Sequence, residues 1–355
     1  MKFFKTTATL LFVLSTAVQA FAWTVTVTPP KVSANQTDID TAAALLGPQI
    51  AAGLSHINDK PGKFARANAN SASFANHVAT QRGYTDYEWF AFTLGAMAGT
   101  QFPSSSYDDI KGLDETIQND GDAEIGVSAQ FAVQLGLRAK FISDDLYLGV
   151  KLGSFKFDLD PNDSNAFKYN TFMIGLTGNY MLLNKTSIGA GVFRWRGLNF
   201  GTGLIYQSTD LSYMMRVSGL SVNQTQGSVT MEVDEPNLKY KMDTKIITIP
   251  LELTTALRLL YVANFTIGFG ADIVMGRTDV SFGMDGDIQV TGAGNVDEPG
   301  RFSVKGGTKR APTFMKPKFM CGLGVGIGDA VIIDVPLTIY TGNGFHIGVT
   351  LGTVW

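Results

Sequence analysis

Three histidines, His56, His77 and His346, are the only imidazoles in the chain. No G-x-S-x-G elbow and no H-E-x-x-H pair accompanies them. His346 alone lies in a strand-like segment, on its inward side. A lone inward histidine serves a polar network more readily than it serves as a base, so the chain reads as a non-enzyme without cofactor or metal. The run Gly322-Leu-Gly-Val-Gly-Ile-Gly328 has the glycines of a nucleotide loop. Its strict period of two, with no helix after it, makes it a strand with a glycine face. Acids cluster at Asp108-Asp109, Asp120 with Asp122, and Asp160 with Asp163. Carboxylates in loops can hold calcium, but solvated loop charge is the simpler account.

A second set of polar residues is set apart by parity. Gln130, Gln134, Arg138, Lys151, Glu252, Asp272, Asp334, Tyr340 and His346 each alternate with apolar neighbours along a strand. They therefore share the side opposite to the apolar one. Charges of both signs on that side need partners. An internal ion-pair network and the lining of a narrow or gated lumen are the two uses that follow.

The elements that place these residues are strands. Ile125 to Leu137 alternates apolar residues with Gly126, Ser128, Gln130, Gln134 and Gly136. Ile247 to Leu253, Phe265 to Ile273, Phe319 to Ile327 and Val331 to Ile339 repeat the pattern. The last strand holds Phe345, Ile347, Val349 and Leu351 on one face and ends at Trp355. Ser187 to Tyr206 is less regular, because Arg194 and Arg196 share a parity with Ile188 and Val192. A bulge or an early exit from the bilayer is expected there. Connections alternate between long and short along the chain, except that the last outer one, Thr341–Gly344, is also short. Residues 102–122, 207–240 and 277–312 are long; those at Ser143–Asp145, Asn184–Thr186, Arg258–Tyr261 and Gly328–Asp329 are tight. Short turns on one rim and long loops on the other are the arrangement of a bacterial transmembrane barrel. The expected fold is all-β: an antiparallel barrel over residues 84–355, of about ten strands with eight to twelve possible. Ser228–Val233 and Arg301–Lys305 still alternate within the long loops and read as ribbons above the membrane.

The front of the chain differs. Lys2 and Lys5, an apolar core from Ala8 to Val18 and Ala20-Phe21-Ala22 form a secretory signal over residues 1–22. Its removal takes two lysines and no acids from a chain with 28 basic and 31 acidic residues, leaving a formal charge of −5. That balance argues against nucleic acid as a partner. The single cysteine, Cys321, excludes an internal disulfide. No later stretch is apolar and long enough for a membrane helix. Residues 23–83 carry two helical repeats, Ile39 to Ile57 and Phe64 to Val78, separated by Pro61-Gly62. Alanines thin both helices. Inward glycines, among them Gly136, Gly149, Gly268, Gly322, Gly324, Gly326, Gly348 and Gly352, suggest that part of residues 38–80 enters the barrel from the short-turn side as a plug. The alternative leaves the helices in the periplasm.

The apolar strand ending in Trp355 resembles the C-terminal assembly signal of bacterial outer-membrane barrels. The resemblance implies an outer-membrane location, contact with lipid and a barrel-assembly machinery that reads Phe345, Ile347, Val349, Leu351 and Trp355. Gly83-Tyr-Thr-Asp-Tyr-Glu-Trp-Phe-Ala-Phe-Thr-Leu-Gly95, with Ala98-Gly-Thr-Gln101 and the alanine-rich helices before it, resembles the opening of a spirochaetal surface-protein family that includes laminin-binding adhesins. The lipoprotein members of such a family carry an N-terminal Cys, which is absent here. The helical segment is also similar to the hatch of long-chain fatty-acid transporters. These resemblances imply two functions: small-molecule binding or passage through the lumen, or adhesion to host matrix proteins through the long loops.

Overall fold

The structure is a computed structural model. It describes residues 22–55, 60–82, 87–102, 125–162, 165–188, 192–216, 221–234, 236–327 and 330–355. The signal core, His56, residues 83–86 of the adhesin-like opening, Asp108, Asp109, Asp120, Asp122 and Asp163 lie outside the described residues.

Two short strands come first, β1 (Ala22–Thr28) and β2 (Lys31–Val32), where helices alone were expected. Helices α1 (Gln36–Ser55) and α2 (Lys60–Ala75) follow. Pro61 lies in the first turn of α2 rather than between the helices. A proline fits there because the first amides of a helix have no intrahelical acceptor.

Ten strands then close a ring, each antiparallel to its neighbour. They are β3 (Phe90–Gln101), β4 (Gly126–Arg138), β5 (Leu146–Asn162), β6 (Asn165–Leu183), β8 (Phe193–Arg216), β11 (Asn237–Leu259), β12 (Ala263–Thr291), β15 (Met315–Ile327), β16 (Val331–Tyr340) and β17 (Gly344–Val354). β17 returns to β3, pairing Val354 with Ala91 through to Gly344 with Gln101. Trp355 completes the seam. Its amide donates to the Phe90 carbonyl at 2.9 Å, and its own carbonyl accepts from Trp89 at 2.8 Å.

Burial along these strands is inverted relative to a water-soluble protein. Leu135 is 61% exposed while Gln134 beside it is 1% exposed. Phe131, Phe265, Ile267, Phe269, Leu323 and Val349 share the exposed side. An apolar belt facing out and polar residues facing in is the membrane β-barrel arrangement. Cys321 lies on the outward parity. No helix among the described residues is long and apolar enough to cross a membrane.

The expected irregularity falls on β8. β7 (Thr186–Ile188) pairs its start, and the β8–β11 register shifts between Thr255 and Leu257. Gly197 takes φ +81° at that point. The shift buries Arg196, and Trp195 donates to Thr255 Oγ1 at 2.7 Å.

Residues 207–240 and 277–312 are not loops in the main. β8, β11 and β12 run on beyond the belt as one wall, because their alternation continues past Ile247 with polar residues outside. β9 (Ser221–Gln226), β10 (Val229–Asp234) and β14 (Gly300–Arg310) extend it, while β13 (Val296–Glu298) pairs with β2 in a separate two-stranded sheet. β14 joins the edge of β12, and β1 adds to β14 with Ala22 opposite Gly307. α1 packs on the inward face of this wall. Ile39, Leu46, Met231, Val233, Phe302 and Val304 form its apolar core. The ribbons expected at Ser228–Val233 and Arg301–Lys305 correspond to β10 and β14.

Candidate functional site

Residues 64–82 run inside the ring of strands. α2 begins at the wall end, where Phe64 meets Tyr240 edge-on at 5.6 Å between ring centroids. The chain then runs down the barrel and leaves at Tyr87, whose ring meets Tyr147 near the short-turn rim. The expected direction is therefore reversed. α1 sits at the extended rim, and the plug reaches the short-turn rim only at its C-terminal end.

α2 suits this course because it is thin and internally satisfied. Ala65, Ala67, Ala69, Ala72 and Ala75 are all buried. Ser71 and Ser73 donate back to the Asn68 and Asn70 carbonyls at 3.0 and 2.6 Å. Asn70 Oδ1 accepts from the Thr313 amide at 2.9 Å. Side chains nearly fill an eight-stranded barrel, so ten strands leave room for one slender helix. Close approach is visible on β3. A Cβ at Gly99 would stand 2.8 Å from the Ser71 carbonyl oxygen and 2.9 Å from Phe74 Cβ, and one at Gly95 would stand 2.8 Å from the Ala79 nitrogen. Of the glycines named from sequence, Gly136 faces plug residues Gln81 and Tyr87, whereas Gly149, Gly268, Gly322, Gly324 and Gly348 meet the wall itself.

Five neighbouring strands converge on residues 77–82. Lys318 on β15 donates to Glu252 Oε1 at 2.5 Å and to Asp272 Oδ1 at 2.6 Å. Arg82 grips Glu252 with two parallel bonds, Nη2 to Oε1 at 2.6 Å and Nε to Oε2 at 2.9 Å. His77 Nε2 lies 2.8 Å from Asp272 Oδ2, and its Nδ1 lies 2.9 Å from Arg82 Nη2. The Tyr340 hydroxyl donates to Asp272 Oδ2 at 3.0 Å, and its ring stacks on Phe74 at 4.0 Å. His346 stacks on His77 at 5.3 Å. Every charge here meets an opposite charge and a hydrogen bond, the condition under which buried ions are tolerated.

Two lysines hold the C-terminal end of the helix. Lys151 Nζ donates to the Asn76 carbonyl at 3.1 Å and Thr80 Oγ1 at 2.7 Å. Lys316 Nζ donates to the Asn70 carbonyl at 3.3 Å and Ser73 Oγ at 2.7 Å. Cations at this end complement the helix dipole and its orphan carbonyls. Thr93 and Ser128 tie the same segment to β3 and β4 through the Ala79 and Ser71 carbonyls, at 2.6 and 2.5 Å.

Of the residues named from sequence, Lys151, Glu252, Asp272, Tyr340 and His346 meet the plug or its ion network. Gln130 and Gln134 are buried on β4, where both amide atoms of Gln130 and Oε1 of Gln134 find no partner among the described residues. Asp334 is buried opposite Gly322 and Gly324. Arg138 is a correction. It stands at the short-turn mouth, donating to the Asp144 carbonyl at 2.7 Å and lying over the Tyr147 ring. β4 ends there, so inward parity no longer means interior. Arg82, His77, Lys316 and Lys318 were missed. The first two belong to the plug, and the lysines lie on the inward parity beside Pro317, where the apolar row that reveals a strand has not yet begun.

His77, Glu252 and Asp272 have ligand atoms within 4.8 Å of one another, as a metal site would. Lys318 Nζ already stands at the centre of that set, so an ammonium takes the cation's place. No member of the network is more than 5% exposed. The network ties residues 77–82 to five strands of the barrel.

The barrel is similar to several solved structures. The translocator domain of the autotransporter NalP from Neisseria meningitidis aligns over 91% of this chain and 99% of its own, at 9% identity and a TM-score of 0.33. The transport unit of the autotransporter AIDA-I from Escherichia coli covers 82% and 99%, at 11% and 0.32. The toluene transporter TbuX from Ralstonia pickettii covers 84% and 97%, at 10% and 0.24. At such scores the fold assignment rests on the closed ring itself. No curated protein matches the chain. The spirochaetal surface-protein resemblance agrees with the family whose description fits residues 21–355: the chain belongs to the Lsa36-like family.

Proposed function

We propose that this protein is a surface interaction module of the outer membrane, in which a plugged barrel anchors a folded external wall that binds host matrix proteins. One observation carries the reading. The lumen is occupied by residues 60–82, held by a complete ion network, while α1, β1, β9, β10 and β14 build a packed structure beyond the lipid belt. A conduit needs an open path, and an anchor does not. The extended rim then faces outward and the short turns face the periplasm, the orientation usual for such barrels.

A second reading is passage of small molecules after the plug moves. It is favoured by both amide atoms of Gln130 and the amide oxygens of Gln134 and Gln207, which have no partner among the described residues and keep a polar lining on the β4–β8 side. Planar-bilayer recording beside binding to immobilised matrix proteins separates the two. The anchor reading expects a silent wild-type protein that binds matrix, with steady conductance only after residues 60–82 are deleted. A wild type that conducts and binds no matrix protein overturns it.

A further inference from the structure

The outward face of the wall carries a trough of about 560 Å³ across β6, β8, β11, β12 and β14. Its floor is small, with Ser212, Ser281 and Gly283, and its rim is Lys168, Lys239, Lys241 and Lys305. Register places these side chains in two rows. Lys168 pairs with Ser212 and Ser212 with Lys241; Lys239 pairs with Gly283 and Gly283 with Lys305. Strands lie about 4.8 Å apart, so the lysines of each row stand ~10 Å apart. Lys239 is paired with exposed Asp285 at 2.9 Å and Lys168 with Asp158 at 3.6 Å. Lys241 and Lys305 have no ion pair among the described residues. Exposed pairs exchange at little cost, so all four ammonium groups are available to a competing anion. With Asp158 and Asp285 counted, the four lysines leave the trough an excess of two positive charges in a chain with a formal charge of −3, and the row nearer the belt holds Asp210, Asp243 and Asp279.

We propose that this trough binds a linear sulfated polysaccharide of the matrix. The inference rests on the surface-interaction reading and names its partner class. Height favours a partner outside the bilayer. Lys241 stands six residue steps from Ile247, the top of the apolar belt on β11. At about 3.3 Å per residue and a tilt of about 40° this is ~15 Å, beyond a headgroup layer of roughly 5–8 Å. The chemistry favours repeated sulfates. Lysine is a compact point charge on a flexible stem, suited to scattered anions rather than to a fixed planar fork. The aromatic residues of its lining, Tyr213, Tyr240 and Phe282, stand on the strand parity opposite to the lysines, so they do not form the outward stacking platform that single-stranded nucleic acid uses.

The test uses the full chain in detergent micelles, with heparin, desulfated heparin, phosphatidylglycerol vesicles and single-stranded DNA as probes. Heparin is expected to bind in preference to the other three, and to weaken steeply as salt rises. Lys241→Glu with Lys305→Glu should weaken it by about tenfold or more, with heat-modifiable migration unchanged. Lys31→Glu, on β2, should leave it as in the wild type. If the double reversal fails to assemble, Lys241→Gln with Lys305→Gln should give a smaller loss in the same direction. Equal binding of the desulfated chain, no heparin binding, unchanged affinity in both double variants, or preference for vesicles or DNA would each overturn the proposal. Matrix proteins stripped of glycan are assayed alongside. If they bind and heparin does not, only this inference fails; if neither binds, the surface-interaction reading falls too.

Discussion

Lys318 is the residue on which the plug depends most. Its ammonium reaches Glu252 and Asp272 together, and those carboxylates also hold Arg82 and His77. Lys318→Met removes one cation and leaves two carboxylates with less compensation than they need. Breaking a buried pair costs about 3–5 kcal/mol, so the urea midpoint of the folded barrel should fall correspondingly. A loss below about 1 kcal/mol would mean that the network is hydrated and carries little weight. Glu252, Asp272 and Tyr340 were legible from sequence because inward parity sets a charged or polar side chain apart in an apolar strand. Their partners were not legible, since a helix of alanine, asparagine and serine and the short segment after it give no sign of which barrel residue Arg82 will meet.

At the scale of elements, α2 and β3 are fitted to each other through Gly99. Leucine there would meet the Ser71 carbonyl and Phe74. In the full chain Gly99→Leu should therefore unseat α2, seen as conductance or as failed assembly. In a chain lacking residues 60–82 the same substitution should be tolerated. Equal damage in both backgrounds would assign Gly99 to the wall alone. The strands themselves were readable, since ten alternating segments and their short turns follow from period two. Wall length was not: beyond the belt, β11 and β12 replace apolar outward residues with lysine and aspartate, which read as loop. Facing also has a sharper test. Ile267→Arg enters hydrocarbon and should cost about 2–4 kcal/mol near the midplane. The segment inside the ring removes the expectation that inward positions accept charge freely. Gln134→Lys would bury an ammonium without a carboxylate, so it too should destabilise, whereas Lys309→Glu on the exposed wall should not. Comparing the three by heat-modifiable migration checks both points, and a harmless Gln134→Lys would mean that water reaches the lumen there.

The whole molecule has a topology that periodicity cannot reveal. β1 and α1 lie at the extended rim, yet β3 starts at the short-turn rim, so the chain passes through its own ring. That ring is closed by hydrogen bonds between β17 and β3. The N-terminal segment must be inside before this seam forms, or be drawn through afterwards. Glycine counts pointed to insertion from the short-turn side because most inward glycines lie there, although nearly all of them accommodate wall neighbours. Labelling decides the matter. In a Cys321→Ser background, Thr26→Cys on exposed β1 should react with a membrane-impermeant maleimide on intact cells, and Asp144→Cys in a short turn only after permeabilisation. Since Thr26 pairs with Ser303 on the outer wall, its reactivity reports the N-terminal segment and the wall together. The reverse pattern would put β1, α1 and the wall in the periplasm. Reactivity of both sites only after permeabilisation would mean that the N-terminal segment has not passed through the barrel.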